Sequence, residues 1–327
     1  IVDATTVRLR DELVDTYPGA GDYAALKVHK EWSVGTGNLY TYKITPARDH
    51  DSPHVTVDES RRGSGLIADL AYVSLVRLRD CDAHDVRYVV RLKDDWKPTV
   101  DRLVRGTGFP KMAKGEDFDA LLEDDVIIRD GNPIDADVTL GRGAFKVKSR
   151  LVGIATPKGY CFFLTNLPRG THGPTDVGDI YRVRWEIEID NKVDKAGARL
   201  DEIESRKPVS ARILILASLL NAAIAKTIIQ SESLAIVAAK KKQTDPAGRG
   251  PLHPISLLRW MASSHSTIVR LLLSDQDETF EWRRLMSLFR NYAADTSWRR
   301  RPSVLDIIQG LTAPMLEPTA KKASKKA

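Results

Sequence analysis

The stretch LIADLAYVSLVRLRDCDAHDVRYVVRLK (residues 66–93) decides the fold class. A short apolar run ends at Asp69, and a second apolar run fills residues 86–93. Between the two runs, apolar side chains recur at a helical spacing, at Tyr72, Leu75, Val76 and Leu78. Short runs rich in β-branched residues indicate buried strands, whereas a spacing of three and four residues indicates a helix. The order strand, helix, strand is typical of an α/β fold.

Three further strands are predicted ahead of this stretch, at residues 1–9, 24–34 and 38–47. β-Branched residues and a near-alternation of apolar and polar side chains support these strands. In the first of them, Asp3 lies on the same side as Val7 and Leu9. A charge among apolar neighbours is costly unless something compensates it, so Asp3 is a candidate functional residue.

Composition favours a folded domain with a mild preference for polyanions. Hydrophobic residues make up 42% of the 327 residues, and the net charge is +6. Cys81 and Cys161 form neither a zinc-binding spacing nor a disulfide framework, so we expect both to be structural. Residues 213–225, the most apolar run, are interrupted by Ser218 and Asn221 and are too few to span a membrane. We therefore expect a buried helix there, in a soluble protein.

The segment YRVRWEIEIDNKVDKA (181–196) is predicted to belong to one continuous helix that begins near Thr175 or Asp176. At about 100° per residue, four functional side chains then lie on a single stripe, namely Tyr181, Arg184, Glu188 and Lys195. Trp185 lies about 40° from the direction of Tyr181, where it either packs in the core or meets an unstacked base. The alternative for the stripe is an ordinary amphipathic helix with an Arg184–Glu188 ion pair.

Three carboxylates occupy positions that suit a metal site. Asp3 lies within the first strand, Asp69 lies where a strand turns into a helix, and Glu188 lies on the stripe. Carboxylates brought together from separate elements repel one another, and divalent cations relieve that repulsion. Ligation by oxygen alone favours Mg²⁺ or Mn²⁺. Two such ions support phosphodiester chemistry.

The residues beside Glu188 suit phosphate binding. Arg184 offers a bidentate fork, and Lys195 offers a point charge on the same face. Tyr181 can donate a hydrogen bond to a phosphate or stack on a base.

These motifs resemble a known family. The spacing Tyr181-x2-Arg184-x3-Glu188-x6-Lys195 is similar to the YREK signature of insertion-sequence-four type transposases. The stretch IVDATT (1–6) resembles the strand that carries the first aspartate of that family, and LIADLAYVS (66–74) followed by YVVRLK (88–93) resembles the segment of the second aspartate. Ala71 stands where family members usually have a glycine. The resemblance covers about residues 1–235.

The resemblance implies a ribonuclease H-like α/β core, a mixed sheet flanked by helices, with an Asp3, Asp69 and Glu188 metal triad. It also implies Mg²⁺ or Mn²⁺ and DNA contacts from Tyr181, Arg184 and Lys195. The residues themselves add the expectations of two ions and of a DNA contact from Trp185. The expected activity is metal-dependent strand cleavage at transposon ends followed by strand transfer into target DNA. The expected partners are the terminal inverted repeats, target DNA and a second copy in the synaptic complex. The expected location is the bacterial cytoplasm, in association with the nucleoid and not with a membrane.

The sequence patterns, together with this resemblance, predict a division of the chain into five parts. The first part of the core, with both aspartates, covers 1–98; a β-rich insertion follows at 99–168. The glutamate helix and a core-closing helix cover 169–239. A C-terminal helical region at 240–316 and a basic disordered tail at 317–327 complete the chain.

Two other functions are compatible with parts of the sequence. Family members have a substantial region ahead of the first aspartate, and this chain, which begins at Ile1, has almost none. The chain is therefore also compatible with a truncated, catalytically silent DNA-binding remnant. A glycosidase would use a carboxylate pair without a metal or a phosphate-binding stripe.

Minor motifs are weaker evidence. The resemblance places His29 and the His50–Asp51 pair near the site, where they could support it from a second shell. Scattered histidines such as His29, His50 and His54 are otherwise more typical of surface or core positions. The clusters WRRL (282–285) and WRRRPS (298–303) suit either a DNA backbone or solvated helix faces.

Overall fold

The computed structural model describes residues 1–33, 38–105, 132–240 and Arg283. The described residues contain nine strands: β1 (Val2–Arg8), β2 (Ala25–Ser33), β3 (Asn38–Pro46), β4 (Gly65–Ala68), β5 (Arg87–Arg91), β6 (Thr99–Arg105), β7 (Ile134–Leu140), β8 (Val147–Thr156) and β9 (Gly159–Thr165). They also contain four α-helices: α1 (Leu75–Ala83), α2 (Pro174–Arg182), α3 (Trp185–Ala196) and α4 (Pro208–Lys240). The mixed α/β prediction is confirmed.

The chain divides into two compact units. The described part of the first unit consists of residues 1–2, 50–105 and 132–184. The described part of the second unit consists of residues 3–33, 38–49, 185–240 and Arg283.

The second unit contains the order β3-β2-β1 and the helices α3 and α4. Strands β2 and β3 pair antiparallel, with an irregularity between Glu31 and Trp32. The three predicted N-terminal strands are therefore confirmed. Apolar side chains from the strands and from the chain around α4 form one core, made of Val7, Leu9, Leu13, Ala24, Leu26, Val28, Leu200, Ile203, Ala211, Ile215 and Leu219.

The first unit contains the sheet order β4-β5-β9-β8-β7-β6. Strands β4 and β5 are parallel, with Ala68 opposite Val90, and α1 joins them as the sequence predicts. The pairs from β5 to β9 and onward to β6 are antiparallel. Helix α2 packs against this sheet through a core of Val89, Val152, Phe163, Leu167, Val177 and Ile180.

The predicted β-rich insertion contains strands β6 to β9 in the described residues. Its last strand, β9, pairs with β5, so that strand continues the sheet of the first unit. Residues 106–131 of the predicted insertion lie outside the described residues. So do most of the C-terminal helical region, the basic tail and most of the two tryptophan–arginine clusters.

The prediction of one continuous helix through residues 181–196 is wrong. Helix α2 ends at Arg182 and α3 begins at Trp185. Between them the backbone tightens, because the N–H of Val183 donates to the carbonyl of Ile180 and the N–H of Arg184 donates to that of Tyr181. Both hydrogen bonds span three residues instead of four. The rotation of about 100° per residue therefore cannot be used to compare side-chain directions on the two sides of the break.

The predicted start of the helix is also corrected. Gly173 is the N-cap and Pro174 the first helical residue, so neither Thr175 nor Asp176 caps the helix. The Asp176 carboxylate instead accepts a hydrogen bond from the N–H of Gly173 at 2.7 Å. An acid at the third helical position satisfies a backbone donor that the first turn cannot use.

Cys81 and Cys161 are free cysteines. Burial raises the pKa of the Cys81 thiol to about 12. Burial also raises the pKa of Cys161. Both thiols are therefore protonated at neutral pH, as expected of structural cysteines.

No helix in the described part of the chain is long and apolar enough to cross a membrane.

A buried guanidinium fixes the loop that leads into α2. Arg150 on β8 donates through Nε and Nη2 to the Asp135 carboxylate on β7, at 3.0 and 2.8 Å. Its Nη1 donates to the carbonyl oxygens of Leu167 and His172, at 3.1 and 2.9 Å. Arg169 adds a bond to Asp135 at 2.9 Å. One side chain thus connects two strands to the entrance of α2.

We predict that Arg150→Ala lowers the free energy of unfolding by about 3 to 5 kcal/mol, because it leaves the buried Asp135 carboxylate underpaired. The matched control is Arg102→Ala, which removes an exposed partner of Asp137 and should cost at most about 1 kcal/mol. Urea unfolding followed by circular dichroism measures both. Equal losses in the two variants would contradict the role of the buried guanidinium.

Candidate active site

The Asp3 carboxylate contacts helix α3 through an amide. Asn191 Nδ2 donates to Asp3 Oδ2 at 2.9 Å, and both residues belong to the second unit. Asn191 follows Glu188 by three positions within α3, and residues so spaced have Cβ atoms about 5 to 6 Å apart on one face of a helix. Asp3 therefore lies beside the turn of α3 that carries Glu188.

Lys195 follows Glu188 by seven positions in the same helix. Two turns of an α-helix are close to seven residues, so these two side chains share a face of α3. Half of the predicted stripe, Glu188 and Lys195, thus lies on one continuous helix. Tyr181 and Arg184 precede the break and belong to the first unit.

Four buried charges hold α3 in the second unit. Lys30 Nζ lies 2.6 Å from Asp190 Oδ2 and 2.5 Å from Asp194 Oδ2. Lys226 Nζ lies 2.6 Å from Asp190 Oδ1 and 2.5 Å from Asp194 Oδ1. We call these four residues the ionic square. It joins β2, α3 and α4 and carries two positive and two negative charges.

The ionic square stabilises its own charged state. Burial by itself would raise the pKa of Asp190, but Lys30 and Lys226 outweigh it and lower that pKa. Burial would likewise lower the pKa of Lys30, but Asp190 and Asp194 outweigh it and raise that pKa. Asp190 and Lys30 therefore stay ionised, because each has two opposite charges beside it.

In the first unit, Asp69 lies at the carboxyl end of β4. Arg91 is the last residue of β5, the parallel neighbour of β4. The Tyr181 ring centroid lies 5.0 Å from that of Phe163 on β9, and the Arg184 guanidinium lies 5.7 Å from the Tyr181 centroid. Asp69, Arg91, Tyr181 and Arg184 therefore belong to one edge of this unit.

The charges of Asp69, Arg91 and Arg184 all affect the pKa of Tyr181. Burial raises the pKa most, and the charge of Asp69 raises it further, whereas Arg184 and Arg91 lower it. Two guanidinium groups and one carboxylate thus act on a single phenol. This edge combines a candidate metal ligand with cationic donors suited to a phosphate.

Arg91 is a candidate functional residue that the sequence analysis missed. The signal was available, because Arg91 follows an apolar run at the carboxyl end of a strand next to the Asp69 strand. Open α/β sheets place their sites at that edge.

The structure groups the predicted site residues by unit. Asp69, Tyr181 and Arg184 lie in the first unit, whereas Asp3, Trp185, Glu188 and Lys195 lie in the second. Among the described residues, no group of three or more His, Cys, Asp or Glu side chains is arranged to hold a metal ion. The triad of Asp3, Asp69 and Glu188 therefore stays a prediction.

The structure shows the surroundings of two predicted residues, Trp185 and His29. Trp185 is 56% exposed, so the interpretation of this residue as a core side chain is wrong. His29 is buried on β2, where its Nε2 atom lies 3.0 Å from Thr45 Oγ1.

Comparison with known proteins agrees with this picture. The family described as "Transposase DDE domain" matches residues 1–224. The chain belongs to this family. The resemblance drawn from the YREK spacing is confirmed at the family level, and the matched range includes each of the seven predicted site residues.

Curated relatives are transposases of insertion sequences. The transposase for element IS231C of Bacillus thuringiensis subsp. berliner is 33% identical over 98 residues, which are 28% of this chain and 20% of that protein. The putative transposase InsL of element IS186A of Escherichia coli (strain K12) is 27% identical over 252 residues, 68% of this chain and 66% of that protein. The transposase for element IS421 of Escherichia coli has the same identity and coverage. The chain thus spans from about a fifth to just under two thirds of these relatives.

We predict that Lys30→Met lowers the free energy of unfolding by about 3 to 5 kcal/mol, because it leaves buried negative charge in excess. The matched control, Lys192→Met, changes an exposed residue of α3 and should cost less than about 0.5 kcal/mol. Urea unfolding of both variants tests the difference. A native-like Lys30→Met protein would show that the ionic square does not hold α3.

The contribution of the ionic square should depend on pH at both extremes. The lowered pKa of Asp190 means that its stabilisation is present above the ordinary value of 3.8 and is lost as pH falls below it. The raised pKa of Lys30 means that its stabilisation is present below 10.5 and is lost as pH rises above it. The stability difference between the native protein and Lys30→Met should shrink as pH falls toward about 3 and again as pH rises above 10.5. A difference that shrinks at neither extreme would contradict the assignment.

Proposed function

We propose that the protein is a transposase that cleaves DNA strands at transposon ends and transfers them into target DNA, in a reaction that depends on a divalent metal. The observation that carries the proposal is the family match over residues 1–224, which contains all three predicted metal ligands. The contact between Asp3 and the Glu188 helix supports it, because two of the three acids are then neighbours.

The three acids fit Mg²⁺ or Mn²⁺ by their chemistry. Asp3, Asp69 and Glu188 are each half-buried, so their carboxylates are shielded from bulk water and remain accessible. They offer only oxygen donors, which suit these hard cations better than zinc. When bound, one or two such ions would activate a water or a 3′-hydroxyl and stabilise the departing oxygen.

The cationic edge of the first unit would bind the DNA backbone. Arg184 and Arg91 can each form two parallel hydrogen bonds to a phosphate, and the Tyr181 hydroxyl can donate a third contact. Such contacts hold the scissile phosphate beside Asp69. Lys195 and the exposed Trp185 would add a phosphate contact and a stacking surface from the second unit.

The proposed partners follow from the chemistry of the reaction. The substrates would be the terminal inverted repeats and target DNA, and the net charge of +6 favours such polyanions. Joining two transposon ends calls for a second copy of the chain, so a homodimer on DNA is part of the proposal. The reaction would take place in the bacterial cytoplasm at the nucleoid.

We expect Glu188→Gln to reduce nicking of supercoiled plasmid in Mn²⁺ by at least about a hundredfold, a larger effect than the loss of an outer-shell partner usually has. DNA binding should persist, since the amide keeps the size of the side chain. The matched control is Glu186→Gln, in the same first turn of α3, which should nick at the native rate. Gel electrophoresis with an EDTA lane measures all three proteins.

The outcomes separate the candidate functions. Native nicking by Glu188→Gln would refute the metal-site assignment. DNA binding without nicking by the native chain would favour the silent DNA-binding protein over the transposase. Nicking that survives EDTA would point to chemistry without a metal.

A second experiment tests the phosphate edge. Arg91→Ala and Arg184→Ala should each weaken duplex binding and reduce the slope of log K against log salt by about one, the value for one lost phosphate contact. The matched control is Arg182→Ala on α2, whose guanidinium pairs with Asp179 at 3.1 Å and should leave the slope unchanged. Fluorescence anisotropy at several salt concentrations measures the slopes. Native slopes in both variants would remove these arginines from the DNA site.

A further inference from the structure

The amide of Asn191 is oriented by the carboxylate that it contacts. Asn191 is 8% exposed, and its Nδ2 atom donates to Asp3 Oδ2. Its Oδ1 atom is buried and has no hydrogen-bond partner among the described residues. Turning the amide over would place its oxygen against the Asp3 carboxylate, where two acceptors repel. A buried oxygen without a hydrogen-bond partner is unfavourable. The favourable polar interaction of the Asn191 side chain is therefore its hydrogen bond to Asp3.

We propose that Asn191 is a positioning residue for Asp3, holding one carboxylate oxygen so that Asp3 is presented to a divalent cation. The inference rests on the proposed function, in which Asp3 is a metal ligand. It adds a residue outside the YREK spacing and the acidic triad.

A neutral donor suits this task. An amide orients a carboxylate and leaves its charge intact, whereas an ammonium or guanidinium would neutralise that charge and compete with the cation. The lysines that contact the adjacent residue Asp190 cannot play that competing role, because Lys30 and Lys226 are each held by Asp190 and Asp194. Metal-ligating carboxylates are commonly oriented by such outer hydrogen bonds.

The ionic square determines where Asn191 points. Asp190 and Asp194 are one turn apart in α3 and are both fixed by the same two lysines, so α3 has little freedom to rotate about its axis. Around the axis of α3, Asn191 lies between the face that carries Asp190 and Asp194 and the face that carries Glu188. The square therefore presents the amide to β1 and, with it, sets the position of Asp3.

The test measures Mn²⁺ binding to the full chain by electron paramagnetic resonance of the free ion, without any DNA reaction. Asn191→Ala and Asn191→Leu should each weaken binding about tenfold. Leucine keeps the buried volume without a donor, so it separates the hydrogen bond from packing. The matched control Lys192→Ala, at the exposed neighbour, should bind Mn²⁺ as the native chain does. Asp3→Asn should abolish the site, and thermal unfolding monitors the fold of every variant.

Each outcome decides between the two proposals. Native affinity in both Asn191 variants, with loss in Asp3→Asn, overturns the positioning role and leaves the proposed function in place. Loss in Asn191→Ala alone, with native affinity in Asn191→Leu, shows a packing role and also overturns the inference. Native binding by Asp3→Asn removes Asp3 from the metal site, which overturns the ligand assignment of the proposed function and the inference with it.

Discussion

A buried charge has to be neutralised where it lies, and this constraint governs the second unit. Lys30 and Lys226 could not leave water without Asp190 and Asp194, and the reverse is equally true. Because the four residues come from β2, α3 and α4, neutralisation also fixes three elements against one another. The helix that carries Glu188 is therefore held by electrostatics in addition to apolar packing. The contact between Asn191 and Asp3 is possible because α3 cannot turn away from β1.

In the first unit, the direction of the strands positions the candidate site residues. Parallel pairing of β4 and β5 brings the ends of two strands to one edge, so Asp69 and Arg91 are placed there by the backbone alone. Tyr181 packs on Phe163 of the sheet and brings Arg184 to the same edge. The guanidinium of Arg150 holds the loop that leads into α2, so the helix that carries Tyr181 is anchored through a buried residue of β8.

Local patterns predicted most strands and the helix α1, because apolar periodicity is a property of neighbouring residues. The family and its candidate ligands followed from the YREK spacing. The break at Val183 and Arg184 could not be predicted, since neither residue is a glycine or proline and the backbone tightens through its own hydrogen bonds. The ionic square was equally hidden, because Lys30 is separated from Asp190 by 160 positions. Arg91 was missed although its signal was present, because the predicted order strand, helix, strand already places the end of its strand beside the Asp69 strand.

The break between α2 and α3 divides the YREK signature between two compact units. Helices of nine and twelve residues are too short to be stable in water by themselves, so each depends on packing within its own unit. Local opening of one unit can expose the amides of Tyr181 and Arg184 while those of Glu188 and Lys195 stay protected. A sequence signature that is contiguous along the chain is thus carried by two compact units, each with an apolar core of its own.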